Sequence, residues 1–168
     1  MALITAAQVI ATTPIHKNLD TANIERMIEP TQLSDLLYVL GSGFYNEIVS
    51  SGWMVDGVTL SGLDSTSSGL MANYIKPFME WQVAVSVIPF MQTSVANNGL
   101  FSGVPRQTQK ATAPEKHNIE SRLQQSATVY KKRLIDYLEA NRDSFPTWRD
   151  AMYSCEKKSG VFKTFGII

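Results

Sequence analysis

From Trp81 to Pro105 the chain carries no charged residue. This stretch begins inside a helical pattern, "YIKPFMEWQVAVSVIPFM", running from Tyr74 to Met91. Leu70, Tyr74, Ile75, Phe78, Met79, Gln82, Val85 and Ile88 fall on one helical face. Trp81, Val83, Val87 and Met91 widen that face to nearly all sides. A helix apolar most of the way round is normally the one at the centre of a fold. Pro77 and Pro89 lie inside the run. Each removes a backbone donor and bends the axis. The expectation is one bent central helix with the rest of the chain packed around it. A membrane span needs about 20 predominantly apolar residues. Gln82, Ser86, Pro89, Gln92, Thr93 and Ser94 interrupt this run and Asn97-Asn98-Gly99 ends it, so no membrane partner is expected.

The remaining sequence supplies helices to surround that hub. "TAAQ" at Thr5–Gln8 has capping-box spacing and opens a short helix. "HKNLD" after Pro14 reads as a loop, and Asp20 is placed to cap the next helix. That helix has Ile24, Met27, Ile28, Leu33, Leu36, Leu37 and Leu40 on its apolar face, with a kink expected at Pro30. Gly41 and Gly43 break it. "FYNEIVSSG" is a brief helix with Phe44, Tyr45, Ile48 and Val49 inward. "WMVDGVTLSGLDSTSSG" reads as a loop ending in N-caps at Ser65 to Ser68. "TAPE" at Thr112–Glu115 is a second capping box. It opens a helix with the stripe Ile119, Leu123, Ala127, Tyr130, Leu134, Tyr137 and Leu138, ended by Pro146. The fold class expected is all-α: a helical bundle around a bent central helix, with an extended loop or hairpin arm and an extended C-terminal tail. The domain covers 1–153, the arm about 97–114 and the tail 154–168.

The arm, "NNGLFSGVPRQTQKATAP", joins apolar Leu100, Phe101 and Val104 to basic Arg106 and Lys110. A loop of that length in a compact domain is usually functional or disordered. The tail ends in Phe162, Phe165, Ile167 and Ile168, apolar side chains that gain most by docking on this chain or a neighbour. These nine residues are the interface candidates.

Chemistry-bearing patterns are sparse. Metalloprotease, nucleophile-elbow and Walker motifs are missing from the sequence. "GSG" at Gly41–Gly43 reads as a helix cap and turn. His16 and His117 are far apart, and His117 in the first turn of a helix reads as solvated. Glu25 and Glu29, four apart beside Arg26, read as a solvated face. Cys155 alone makes no disulfide framework and reads as inert. No catalytic set, cofactor or metal is expected. Lys131, Lys132 and Arg133 are successive, so they point in three directions around a helix and form no phosphate-tracking stripe. A solvated face, an inter-subunit contact and a DNA-channel contact all remain open for them. Lys+Arg and Asp+Glu both total 15, which argues against a free-standing nucleic-acid binder and offers no net repulsion to self-association.

The order "LLYVLGSGFYNEI", "YIKPFMEWQVAVSVIPFM", "NNGLF" and "YKKRLIDYLEANRDSFPTW" resembles the head–tail connector (adaptor, neck-ring) proteins of tailed bacteriophages. It is most similar to those of phages of Bacteroidetes, including crAss-like phages, over roughly Ile4 to Tyr153. The resemblance implies a non-enzymatic, all-α subunit of a homo-oligomeric ring, commonly a dodecamer, docked on the portal protein and presenting a platform for the next neck or tail protein. DNA would pass through without sequence-specific binding. The location implied is the capsid–tail junction of the virion, after assembly in the host bacterial cytoplasm. A monomeric helical regulatory or ligand-binding domain is the alternative.

Overall fold

The computed structural model describes residues 2–14, 21–91, 94–96, 99–101 and 113–148. These are mostly helical, so the fold is all-α, as its periodicity implies. Helix α1 (Ala6–Thr12) starts on the expected capping box: Thr5 accepts from the Gln8 amide and Gln8 returns the bond to the Thr5 amide. Helix α2 (Thr21–Thr31) continues through a wide π turn, Gln32–Leu36, into α3 (Leu37–Leu40). Gly41, at φ 74°, ends it in a conformation that favours glycine, and α4 (Ser42–Ser50) follows at once. Gly43 therefore sits within α4 and breaks nothing. Its missing side chain leaves room for Thr147, whose Cγ2 lies 3.2 Å from where a Cβ would be.

The π turn corrects one sequence expectation. An extra residue in a turn rotates everything beyond it around the helix axis. Leu33 is thus turned outward, at 51% exposure, while Gln32 turns inward. Gln32 accepts from the Leu3 amide at 3.1 Å and donates to the Tyr45 hydroxyl at 2.9 Å. One buried amide side chain thereby ties the N-terminus, α2 and α4 together.

The segment read as a loop after α4 contains a small hairpin, β1 (Met54–Val55) and β2 (Val58–Thr59), paired antiparallel. Its turn is Asp56-Gly57 with φ of 50° and 76°, both in the left-handed region that two-residue hairpins require. The Asp-Gly dipeptide was a turn signal that the loop reading passed over. The Asp56 and Gly57 amides donate to Ala2 and Leu3 carbonyls, so the hairpin clamps the chain start. The cap of the next helix is Asp64, one residue before the expected serines, and it accepts from Thr66 and Ser67 amides. The Ser67 side chain, together with those amides, holds the Asp64 carboxyl below its ordinary pKa.

Helix α5 (Ser65–Leu70) passes through a second π turn, Met71–Ile75, into α6 (Lys76–Met91). Pro77 lies two residues past the end of that turn. A proline ring strikes the carbonyl four residues earlier in a regular helix, and widening the turn separates the two. The central helix runs on past Pro77 for this reason, and α1, α2 and α7 all pack on α6. Met71, Ile75, Phe78, Met79, Val83, Ala84, Val87 and Ile88 are buried. An antiparallel pair follows, β3 (Ser94–Ala96) with β4 (Gly99–Phe101). The strand leading into the anticipated arm thus starts at Ser94, three residues before the expected boundary.

Helix α7 (Ala113–Ala140) runs 28 residues. Leu123, Ala127, Leu134 and Leu138 form its buried stripe, but Ile119 is 55% exposed, because His117 to Glu120 are exposed on every side. A short 3-10 turn, Arg142–Ser144, brings Phe145 and Trp148 into the core, where the Trp148 indole donates to the Val39 carbonyl at 3.3 Å.

Candidate interaction surface

The seam between α6 and α7 brings aromatic and cationic side chains together among the described residues. On α7, Tyr130, Arg133 and Tyr137 recur at i, i+3 and i+7, and so share one face. Opposite them stand Tyr74 and Trp81, seven residues apart. Tyr74 stacks on Tyr137 with centroids 4.1 Å apart, and Trp81 on Tyr130 at 5.8 Å. The Arg133 guanidinium bridges the two stacks, 5.9 Å from the Tyr74 ring and 5.5 Å from that of Tyr130. Cation–aromatic contacts of this kind hold a flexible cation in one place. The Tyr137 hydroxyl donates to the Thr66 carbonyl at 3.0 Å, and its burial raises the phenol's pKa.

Beyond this ladder the seam opens into a cleft of about 510 Å³, lined by Trp81, Tyr130, Val129, Gln125, Arg122 and Arg133 among others. Arg122 and Arg133 stand at its ends, about 16 Å apart along the axis at 1.5 Å per residue. The cleft is cationic, aromatic-floored and open to solvent on α7's outer side. It suits an extended, acidic surface, since guanidinium groups recognise carboxylates in planar pairs.

Lys131, Lys132 and Arg133 point three ways, as their adjacency implies. The Lys131 ammonium lies 5.3 Å over the Tyr38 ring of α3, Lys132 is exposed and Arg133 joins the ladder. His117 is exposed, as are Glu25 and Glu29. No group of His, Cys, Asp and Glu among the described residues has the spacing of a metal site. No described helix is long and apolar enough to cross a membrane.

Glu80, the last charge before the uncharged run, is 3% exposed inside the core. Burial raises its pKa, opposed by a bond from Thr12 and by the charge of Lys76. Its Oε1 and the Trp81 Nε1 find no hydrogen-bond partner among the described residues.

Of the interface candidates, Leu100 and Phe101 lie on β4, paired with Val95 and Ser94. Val104, Arg106, Lys110, Phe162, Phe165, Ile167 and Ile168 lie outside the described residues, as do His16, Asp20, Thr112 and Cys155. The ladder and cleft were not among the candidates. Their signal was present in the spacing of Tyr130, Arg133 and Tyr137 against Tyr74 and Trp81, but nothing in the sequence said that the two helices were neighbours.

The fold and surface define a small, mostly helical domain, built on a central helix that contains Pro77 and Pro89 and presenting a cation–aromatic face. The chain belongs to a family of unknown function, DUF6712, whose profile matches residues 36–158. No curated protein and no solved structure matches it. The family match begins in the π turn after α2, so α1 and α2 precede it.

Proposed function

We propose that this chain is a structural protein of a tailed-bacteriophage particle. In this reading it is a head–tail connector whose copies form a ring between the portal and the next neck or tail protein. DNA passes through the ring, and no catalysis is involved. The observation that carries the reading is where the resembling motifs fall. "LLYVLGSGFYNEI" spans the Gly41 turn between α3 and α4, and "YIKPF" spans the entrance to α6. The "GLF" of "NNGLF" is β4, and "YLEANRDSFPTW" is the end of α7 with its buried Phe145 and Trp148. These stretches set the corners of a frame rather than the walls of an active site. That suits a subunit whose work is to hold shape and present surfaces. The open cleft favours a second reading, a monomeric domain that binds an anionic ligand or regulates a partner.

Native mass spectrometry of the chain, alone and mixed with the portal protein of the same genome, separates the two. The connector reading expects a complex of fixed stoichiometry near the portal's own symmetry. A chain that stays monomeric and ignores the portal would remove direct portal docking.

A further inference from the structure

The β1–β2 hairpin keeps an apolar face turned to solvent. Val55 and Val58 are paired directly across it, so their side chains share a face. The Leu60 amide donates to the Trp53 carbonyl at 2.8 Å, which extends the pairing by one step. Leu60, two residues past Val58, falls on the same side. All three are exposed, Val58 at 71%, while Met54 on the opposite face is fully buried. Three adjoining apolar side chains on so small a hairpin form a patch rather than scattered singles, and such a patch marks a contact. A line of touching rings locates it in the fold. Tyr74 meets Tyr137, Tyr137 meets Phe145, Phe145 meets Phe44, and Phe44 meets Trp53 at the base of the hairpin. The hairpin therefore lies at the end of the bundle where α6 begins and α7 finishes. The anticipated arm joins the other ends of those two helices.

We infer that the chain beyond Trp148 folds back over this face of its own hairpin, seating Val161, Phe162, Phe165, Ile167 and Ile168 on Val55, Val58 and Leu60. Residues 149–168 lie outside the described residues, but their starting point does not. Trp148 is buried with its indole on the Val39 carbonyl, and Thr147 lies against Gly43 near the start of α4, the helix that leads into the hairpin. From Trp148 to Val161 an extended chain reaches about 40 Å. The whole length of α4 is only about 14 Å. The five side chains are aromatic or β-branched, the kinds that pack well on a pleated surface. A tether this short sets a local concentration on the order of millimolar, so a modest apolar contact suffices. Charge does not oppose the contact. Residues 2–8 and 42–53, which bond to the hairpin, carry Glu47 and no base, and the hairpin itself carries Asp56. Residues 149–168 carry Arg149, Lys157, Lys158 and Lys163 against Asp150 and Glu156. Arg142, over the Trp148 ring, is paired with Glu139 at 4.0 Å. The hairpin already holds the Ala2 and Leu3 carbonyls through the Asp56 and Gly57 amides, so it would gather the stretch before α1 and the stretch after Trp148 at one corner. The inference goes beyond the ring reading and does not rest on it.

Hydrogen exchange of the full chain, followed by mass spectrometry, tests this by reading each face from the other. Phe162→Ser with Phe165→Ser changes only the tail. It is expected to speed exchange in residues 54–60 by about tenfold, since uncovered hairpin amides open locally. Val58→Asp changes only an exposed position of the hairpin, and it is expected to strip protection from residues 161–168. In both variants the stretch from Leu123 to Leu138 of α7 keeps its wild-type rate, which shows that the fold is intact. A contact within one chain keeps its protection through a dilution of about a hundredfold. Protection lost on dilution would assign the patch to a second copy and overturn the inference. So would a wild-type tail that exchanges as fast as a free peptide, or a hairpin indifferent to the tail double variant. Mass spectrometry with the portal bears on the ring reading alone, so either can fail without the other.

Discussion

Helices α6 and α7 lie against each other, and they were built by opposite rules. Helix α6 is covered by α1, α2 and α7, and it carries almost no charge. Helix α7 is longer, charged and covered along one stripe, and near His117–Glu120 it is exposed on every side. The comparison teaches that an uncharged helix reports how many neighbours it has. A charged one reports only which side they are on. It also separates stability from surface: side chains on α6 should govern whether the chain folds, and those on the outer face of α7 should govern what it meets.

The largest expected contrast is between Phe78, 1% exposed on α6, and Ile119 on α7. Phe78→Ala should cost about 3–5 kcal/mol in urea unfolding, from lost transfer energy and an unfilled cavity. Ile119→Ala should stay within about 0.5 kcal/mol. Similar losses at the two sites would mean that α7 is packed over its whole length, and the contrast would fail.

A middle-sized effect is expected at Glu80. Its folded pKa is raised by burial above the unfolded value. Below the unfolded pKa both states hold the proton and the group contributes no pH dependence. As pH rises, the unfolded chain ionises first, so the fold loses stability until the buried carboxyl ionises too. Glu80→Gln should therefore raise the urea midpoint at pH 8 and narrow its advantage at pH 4. A variant weaker than wild type at pH 8 would show that the charged form is well partnered after all.

The smallest effect sharpens the seam itself. Arg133→Ala removes two cation–aromatic contacts at a solvent-exposed site. It should cost about 0.5–1 kcal/mol of stability. The expected signature is a tryptophan fluorescence change, since Trp81 stacks on Tyr130, one of the two rings that Arg133 covers. A loss of several kcal/mol would place Arg133 among the core-forming residues instead.

By itself the sequence determined the helical class, the central position of α6, the capping box at Thr5, the stop at Gly41 and the buried stripe of α7. Each of these is written in local spacing or in a residue's own backbone preference. What it left open depended on residues far apart in the chain. The Gln32–Leu36 π turn shifts the helix register and turns Leu33 outward, and the bonds from Gln32 to Leu3 and Tyr45 that go with it are long-range or medium-range contacts. Periodicity assumes a constant turn and cannot foresee such a shift. Ile119 belongs to the apolar stripe by spacing, yet its end of α7 has no described neighbour to bury it. The cation–aromatic ladder needed α6 and α7 side by side before Tyr74 could find Tyr137, or Arg133 could lie between two rings. The tertiary structure decided these features because a contact between distant residues is paid for by the packing of the whole fold, and no local pattern records it.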